Sequence, residues 1–500
     1  MSDSNFINNS VTIFDDDNLA NDGGGALYWS GAYGTLNHCI FNDNSFNVVG
    51  IDLPISTPLR GGGAIQWMGN YGNLVNSIFN GNSGFRGGAV SLGGANCNLI
   101  NCNFNNNIGR DAGGGVTLWG VNCTVSSSNF TNNTALRGGG AVIFDNVNGL
   151  LTDCIFIKNS AKVWAGAVAW SAANGTLKDS NFINNTADNY GSAIDWWGTN
   201  GKVSGSNFTS NTATNRGGAI HWSGVNGTVS SSNFINNIAT NDRGGAVYWS
   251  GLNGHIFDCK FINNNAKENG GGLYWTSANG VVSSSTFINN TAGTNGGGIE
   301  SSGANFTLTK STFISNTANG PNGGGAVLLA SSSIGSNIIN CEFINNIARV
   351  SGGAICWNGV NGTLTNSKFE GNFANSVGGA IYWAGANGTA IGSIFNSNTA
   401  KQAGGAVYWY GSNSTMHDCN FTDNYAVQGN NVWWDWSIAD FLNKYNQIND
   451  YDYIRIRNGI GTPNNTILLN KKGLIITSQG DVTFDAKGEN LHFEVTGDNV

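Results

Sequence analysis

Asp195 and His221 stand 26 residues apart, a carboxylate and an imidazole at the interval on which much of this chain repeats. If that interval is one turn of a stack, the two side chains share a column on adjacent strands, where a carboxylate orients an imidazole for acid–base work. The column reads Tyr28, Gln66, Ser91, Thr117, Asp195, His221, Tyr248, Tyr274, Glu300, Cys356, Tyr382, Tyr408 across the turns. Its occupants share no chemistry, as a face turned to water allows. Ala169 precedes the pair and Tyr248 follows it, with no Arg or Lys in the column to meet a uronate and no second carboxylate at glycosidase spacing. No catalytic residue is assigned on this basis. Asp195 and His221 read as solvent-facing positions, with ligand contact as the sharper alternative. Tyr248, Tyr274, Tyr382 and Tyr408 fall on two pairs of adjacent turns. Flat rings on a rigid face hold sugars, and the same rings stack across strands to stabilise a sheet.

Other residues that could do chemistry are fewer. Cys39, Cys102, Cys154, Cys259, Cys341 and Cys419 occupy a column where Ser stands in every other turn, so the nine cysteines suggest neither a disulfide scaffold nor zinc. Cys97 and Cys123 each lie seven residues before a repeat Phe, one turn apart, and form the candidate disulfide. Asp15, Asp16 and Asp17 read as a solvated turn, so no metal and no cofactor is assigned. The insertion from Ser45 to Arg60 is apolar for a loop and is the first candidate for partner contact. Asn-x-Ser/Thr sites at Asn122, Asn132, Asn174, Asn184, Asn226, Asn289, Asn361, Asn387 and Asn413 are open to glycosylation in a secreted chain.

The elements that position these groups follow from the repeat. Sixteen times a Phe is followed three residues later by Asn, and Phe104, Phe130, Phe156, Phe182, Phe208 and Phe234 keep an interval of 26. Such a period predicts stacked coils. In the turn from Gly217, the run Gly217-Gly218-Ala219-Ile220-His221-Trp222 and the run Thr228 to Asn237 are strand-length segments bounded by Gly and Asn. Ile220 and its equivalents are aliphatic, and two residues on stand Trp29, Trp67, Trp170, Trp196, Trp222, Trp249, Trp275, Trp357, Trp383 and Trp409. Both columns point inward by strand alternation. Five residues before each Phe is an apolar position, and two before it only Ser or Cys occurs. The Asn after each Phe never varies among the sixteen, which predicts an amide ladder between turns.

Composition narrows the function. Only 10% of residues are charged, with 74 Gly and a net charge of −8. Without clustered Lys and Arg, nucleic acid and anionic membrane are excluded as partners. No apolar run is long enough to insert in a bilayer. Ser4, Phe6 and Asn9 already occupy repeat columns. The chain therefore reads as a fragment that opens inside the array, with the N-terminal cap missing and no signal peptide. Residues 1–430 read as the repeat domain, 431–458 as a capping segment with a helix from Ser437 to Asn449, and 459–500 as a strand-rich segment. Strands are expected at Thr466–Leu469, Leu474–Ile476, Val482–Phe484 and His492–Val495.

The paired signatures, as in Gly244-Gly245-Ala246-Val247 followed by Phe261-Ile262-Asn263-Asn264, resemble the repeats of chlamydial polymorphic outer-membrane proteins. They resemble still more the Asn-rich adhesin-like surface proteins of methanogenic archaea. The resemblance covers about residues 1–430 and implies an all-β, right-handed, single-stranded parallel β-helix of the pectin-lyase-like type, here of about 16 coils, displayed outside the cell. It also implies that residues 459–500 open a further, truncated β-helix. The C-terminal barrel of the chlamydial proteins is not expected within these 500 residues. The expected function is a non-enzymatic adhesin-like rod meeting glycans or surface proteins of neighbouring cells. A polysaccharide lyase or hydrolase and a purely structural stalk are the alternatives.

Overall fold

The computed structural model describes residues 1–13, 23–48, 61–461, 467–469, 471, 474–484 and 493–495. The chain is an all-β parallel solenoid of about 15 turns with a period of about 26 residues, as the repeat requires. It forms two compact units, Met1–Lys260 with Asn264–Ala266, and Phe261–Asn263 with Lys267–Val500.

One turn of the first unit shows the plan. Ile194–Trp196, Lys202–Ser204, Asn207–Thr209 and Thr212–Ala213 are four short strands. Each pairs in parallel with its equivalent one turn later: Trp196 with Trp222, Val203 with Val229, Phe208 with Phe234, Ala213 with Ala239. These inward side chains are fully buried. Burying a large apolar side chain contributes about 1.5–3 kcal/mol, so a turn gains its stability from the turns that cover it. Between strands the backbone bends through the left-handed region at Asn200, Gly205, Ser210 and Gly217, with φ of 57°, 57°, 54° and 67°. Asn and Gly tolerate that region, which accounts for their abundance. Gly218 is required for a different reason, since a Cβ there would stand 2.0 Å from the Gly245 carbonyl oxygen of the next turn.

Three ladders hold successive turns together. The indole rings of Trp196 and Trp222 stack with centroids 4.7 Å apart, and Phe208 stacks on Phe234 at 4.8 Å. Trp196 Nε1 donates to the Gly198 carbonyl at 3.1 Å, so the core indole is satisfied within its own turn. In the Ser/Cys column, Ser206 Oγ donates to the Ser204 carbonyl at 2.9 Å and accepts the Ser180 amide at 3.2 Å. A small side chain that both gives and takes a hydrogen bond is what the position needs. In the Asn column, Asn211 Nδ2 donates to Asn237 Oδ1 at 3.1 Å and to the Phe182 carbonyl at 3.0 Å. Its Oδ1 accepts both the backbone amide and Nδ2 of Asn185 at 3.0 Å. All of its polar atoms are used, as burial demands.

The second unit repeats this plan to the strand Asn420–Thr422. Val432–Trp436 then pairs in parallel with Val407–Trp409, placing Trp434 beside Trp409, so the first residues of the expected capping segment continue the sheet. The helix is Ile438–Lys444, opened by a capping box between Ser437 and Asp440, and Tyr445–Gln447 continues as a 3-10 turn. The expected helix is thus shorter, with Ile438 and Phe441 buried and Leu442 and Tyr445 half-buried. Tyr453–Gly461 pairs with both Val432–Trp436 and Ile475–Phe484. The segments expected at Leu474–Ile476 and Val482–Phe484 form that one strand, Ile475–Phe484. Ser45–Val48 of the insertion is a strand, while residues 49–60 and Asp15, Asp16 and Asp17 lie outside the described residues. Among the described residues no helix is long and apolar enough to cross a membrane.

Candidate functional site

The column that holds Asp195 and His221 is not turned to water. Gln66, Ser91, Thr117, Ala169, Asp195, Tyr248, Tyr274, Glu300 and Cys356 are all buried, and Tyr28 is exposed. Strand alternation correctly puts these side chains opposite the Trp ladder, but the turn leading into each Gly-Gly element folds back over them. Parallel bridges Ala112–Gly138–Trp164–Tyr190–Arg216 stack those turns one above another. Ala112 and Ala165 form a small apolar cluster with Ile143 and Ala169, and Trp164 and Trp197 pack on it.

Asp195 and His221 do meet. Asp195 Oδ1 lies 2.7 Å from His221 Nδ1, with the carboxylate side chain 1% exposed and the imidazole 12%. Burial raises the Asp195 pKa above the usual carboxylate range, opposed by the His221 hydrogen bond. Its Oδ2 is buried with no hydrogen-bond partner. The His221 ring is wedged between Tyr190 and Tyr248, at centroid distances of 5.1 and 5.3 Å. A cation also reaches this group, which a reading along the column alone could not find. Arg216, in the covering turn, places Cζ 5.0 Å from the Tyr248 ring centre and 5.7 Å from that of Tyr190. Its Nε donates to Asp242 Oδ2 at 3.1 Å, and Asp242 Oδ1 is 3.3 Å from Arg243 Nε. The arrangement is therefore an imidazole with Nδ1 anchored on a buried carboxylate, flanked by two phenols and an arginine. Chemically it suits recognition of an anion, and it contains the parts of an acid–base pair.

The remaining tyrosines fit the cross-strand alternative. Tyr382 stacks on Tyr408 at 5.7 Å, Tyr408 stacks on Trp433 at 4.2 Å, and burial pushes the Tyr408 hydroxyl up to about 12. Tyr248 and Tyr274 are buried, so none of the four offers an open ring face. Open rings are found elsewhere, in Tyr33 and Tyr71, 74% and 46% exposed and stacked at 4.9 Å. Both have φ of 59° at a corner that later turns give to Asn, and an aromatic in an Asn column was the signal that could have found them.

Cys97 and Cys123 are both buried free thiols. Their Sγ atoms donate to the carbonyls of Gly69 and Gly94, each at 3.3 Å, and the neighbouring Cys97 sulfur together with burial raises the Cys123 pKa. The nine Asn-x-Ser/Thr asparagines named above, among others in the chain, are exposed, with φ between 53° and 59°. In the second unit a polar cavity of about 360 Å³ is lined in part by His417, Cys419 and Lys471. Burial pushes the Cys419 thiol up to about 11, which makes it a poor nucleophile. No group of three or more metal-ligating side chains occurs among the described residues.

Three stretches match one family. Residues 205–221, 284–302 and 340–356 match the Chlamydia polymorphic membrane protein repeat. Each match runs from the Ser/Cys column through Phe and Asn to the Gly-Gly strand: Phe208 to Ile220, Phe287 to Ile299 and Phe343 to Ile355. The comparison with curated proteins gave no match.

Proposed function

We propose that this chain is a non-enzymatic, adhesin-like protein displayed at a cell surface, where its turns meet glycans or the surface proteins of neighbouring cells. The observation that carries this reading is the placement of the three matches. They coincide with the structural turn itself, so what the chain has in common with a membrane-protein repeat is its scaffold. Weak contacts repeated along such a scaffold give avidity without any deep pocket. A second reading, a carbohydrate-active enzyme, is favoured by the 2.7 Å contact of Asp195 with His221 beside Arg216. Against it, the carboxylate is sealed under a turn and its imidazole is held between two rings. The test is retention of the purified chain on an array of cell-wall and host polysaccharides, with the eluate scanned for released sugar. Retention without release is expected. Released sugar would overturn the reading and make Asp195 and His221 the acid–base pair, and no retention on any surface would leave a structural stalk.

A further inference from the structure

We propose that the turn leading into the Gly-Gly element, in the first unit, is a track for acidic glycans, with the Arg216 guanidinium as its anion-binding fork. The inference rests on the adhesin reading and names its ligand class, a polysaccharide bearing carboxylate or sulfate groups.

The first observation is where the arginines fall. Of the nine in the chain, Arg60, Arg86, Arg110, Arg137, Arg216, Arg243 and Arg349 precede a Gly-Gly element by a few residues. They are scattered in sequence and fall one to three residues before that element. Parallel pairing of Arg86 with Ala112, and of Ala112 in turn with Gly138, Trp164, Tyr190 and Arg216, puts Arg86 and Arg216 in one file, with Arg137 beside it just before Gly138. In that file Gly138, Trp164, Tyr190 and Arg216 come from successive turns, roughly 4.8 Å apart. Arg86 and Arg216 thus stand at either end of a file that holds two half-buried rings. A glycan chain with regularly spaced anionic groups fits such an order, its rings lying against aromatics and its charges against arginine.

The second observation is that carboxylates position these arginines without cancelling them. Asp111 bridges Arg86 at 2.8 Å and Arg137 at 3.2 Å, and Asp242 bridges Arg216 at 3.1 Å and Arg243 at 3.3 Å. Each of these carboxylates thus faces two guanidiniums, in a chain whose net charge is −8. Arg216 is bound to Asp242 through Nε alone, and its side chain is 42% exposed. Its two terminal nitrogens have no protein partner among the described residues, and the Tyr248 and Tyr190 rings fix the plane. That is a preorganised fork for a carboxylate or sulfate. His221, between the same two rings, adds a second polar group to the subsite.

The test measures retention of the whole chain on polygalacturonate, on a sulfated glycosaminoglycan, on an uncharged glucan and on single-stranded RNA, at rising salt. Arg216→Gln is compared with Arg216→Lys and with Lys202→Gln, an exposed cation outside this turn. Melting curves verify that each variant is folded. Expected are salt-sensitive retention on one or both acidic glycans, a loss of about tenfold or more with Arg216→Gln, a smaller loss with Arg216→Lys, and no change with Lys202→Gln. Retention on polygalacturonate alone or on the sulfated glycan alone assigns the anion. Retention on uncharged glucan untouched by Arg216→Gln overturns the track and leaves the adhesin reading intact. Equal retention on RNA with the same loss overturns the glycan assignment, and retention on nothing overturns both.

Discussion

A primary amide has two hydrogens and one oxygen, and Asn211 commits all of them to the turn before and the turn after its own. Asn211→Ala leaves the Asn185 backbone amide buried without its acceptor, removes one of two acceptors from Asn185 Nδ2, which keeps the Phe156 carbonyl, and takes a donor from the Phe182 carbonyl. At about 1–3 kcal/mol for an unsatisfied group and about 1 kcal/mol for each other bond lost, the loss is about 3 kcal/mol, read as a lowered melting temperature. Ser206→Cys is expected to leave melting almost unchanged, because Cys serves the same column in six other turns. Asp452 makes a pH prediction. Its carboxyl is fully buried, and burial pushes its pKa up to about 7 against the hydrogen bonds from Asn449, Trp434 and Val432. Between its unfolded pKa near 3.9 and about 7 the folded state binds the extra proton, so stability falls as pH rises through that window. Unfolding curves of the wild type and Asp452→Asn between pH 4 and 8 check this; the substitution is expected to flatten the slope. The Ser/Cys and Asn columns were legible because a repeat aligns like with like. Arg216 was not, since it sits five residues before His221 in another column and reaches the tyrosine rings that flank the imidazole only when the turn folds over.

At the scale of the element, a strand pattern tells which face a side chain takes and is silent on what covers that face. The Trp, aliphatic and Phe positions were read correctly because the core is built by the strands themselves. The column of Asp195 was misread because its cover comes from a turn whose occupants, Ala112, Gly138, Trp164, Tyr190 and Arg216, follow no repeating hydrophobic pattern. The corners were missed for a related reason. Asn200 and its equivalents serve by adopting positive φ, a backbone property hidden in a sequence rich in Asn. Since every turn is equivalent, removing one whole turn preserves all registers. Deleting residues 119–144 joins Leu118 to Asp145, whose amide already donates to the Leu118 carbonyl at 2.8 Å. The shortened protein is expected to keep a cooperative melt and its β circular-dichroism spectrum. Deleting residues 119–131 instead puts Phe and Asn columns out of step with their neighbours and is expected to abolish folding.

For the molecule as a whole, 10% charged residues and a net charge of −8 give a weak long-range field. Association then depends on short-range contacts repeated from turn to turn, which suits attachment more than capture of a single small substrate. Part of the charge that exists is gathered: on the turns leading into the Gly-Gly elements of the first unit, Asp111 holds Arg86 and Arg137, and Asp242 holds Arg216 and Arg243. Surface display is the claim on which the adhesin reading stands. It is tested most directly by labelling intact cells that make the protein with antibody raised against the purified chain, alongside permeabilised cells. The account predicts equal labelling of intact and permeabilised cells, lost after brief external protease. Label confined to permeabilised cells would contradict it.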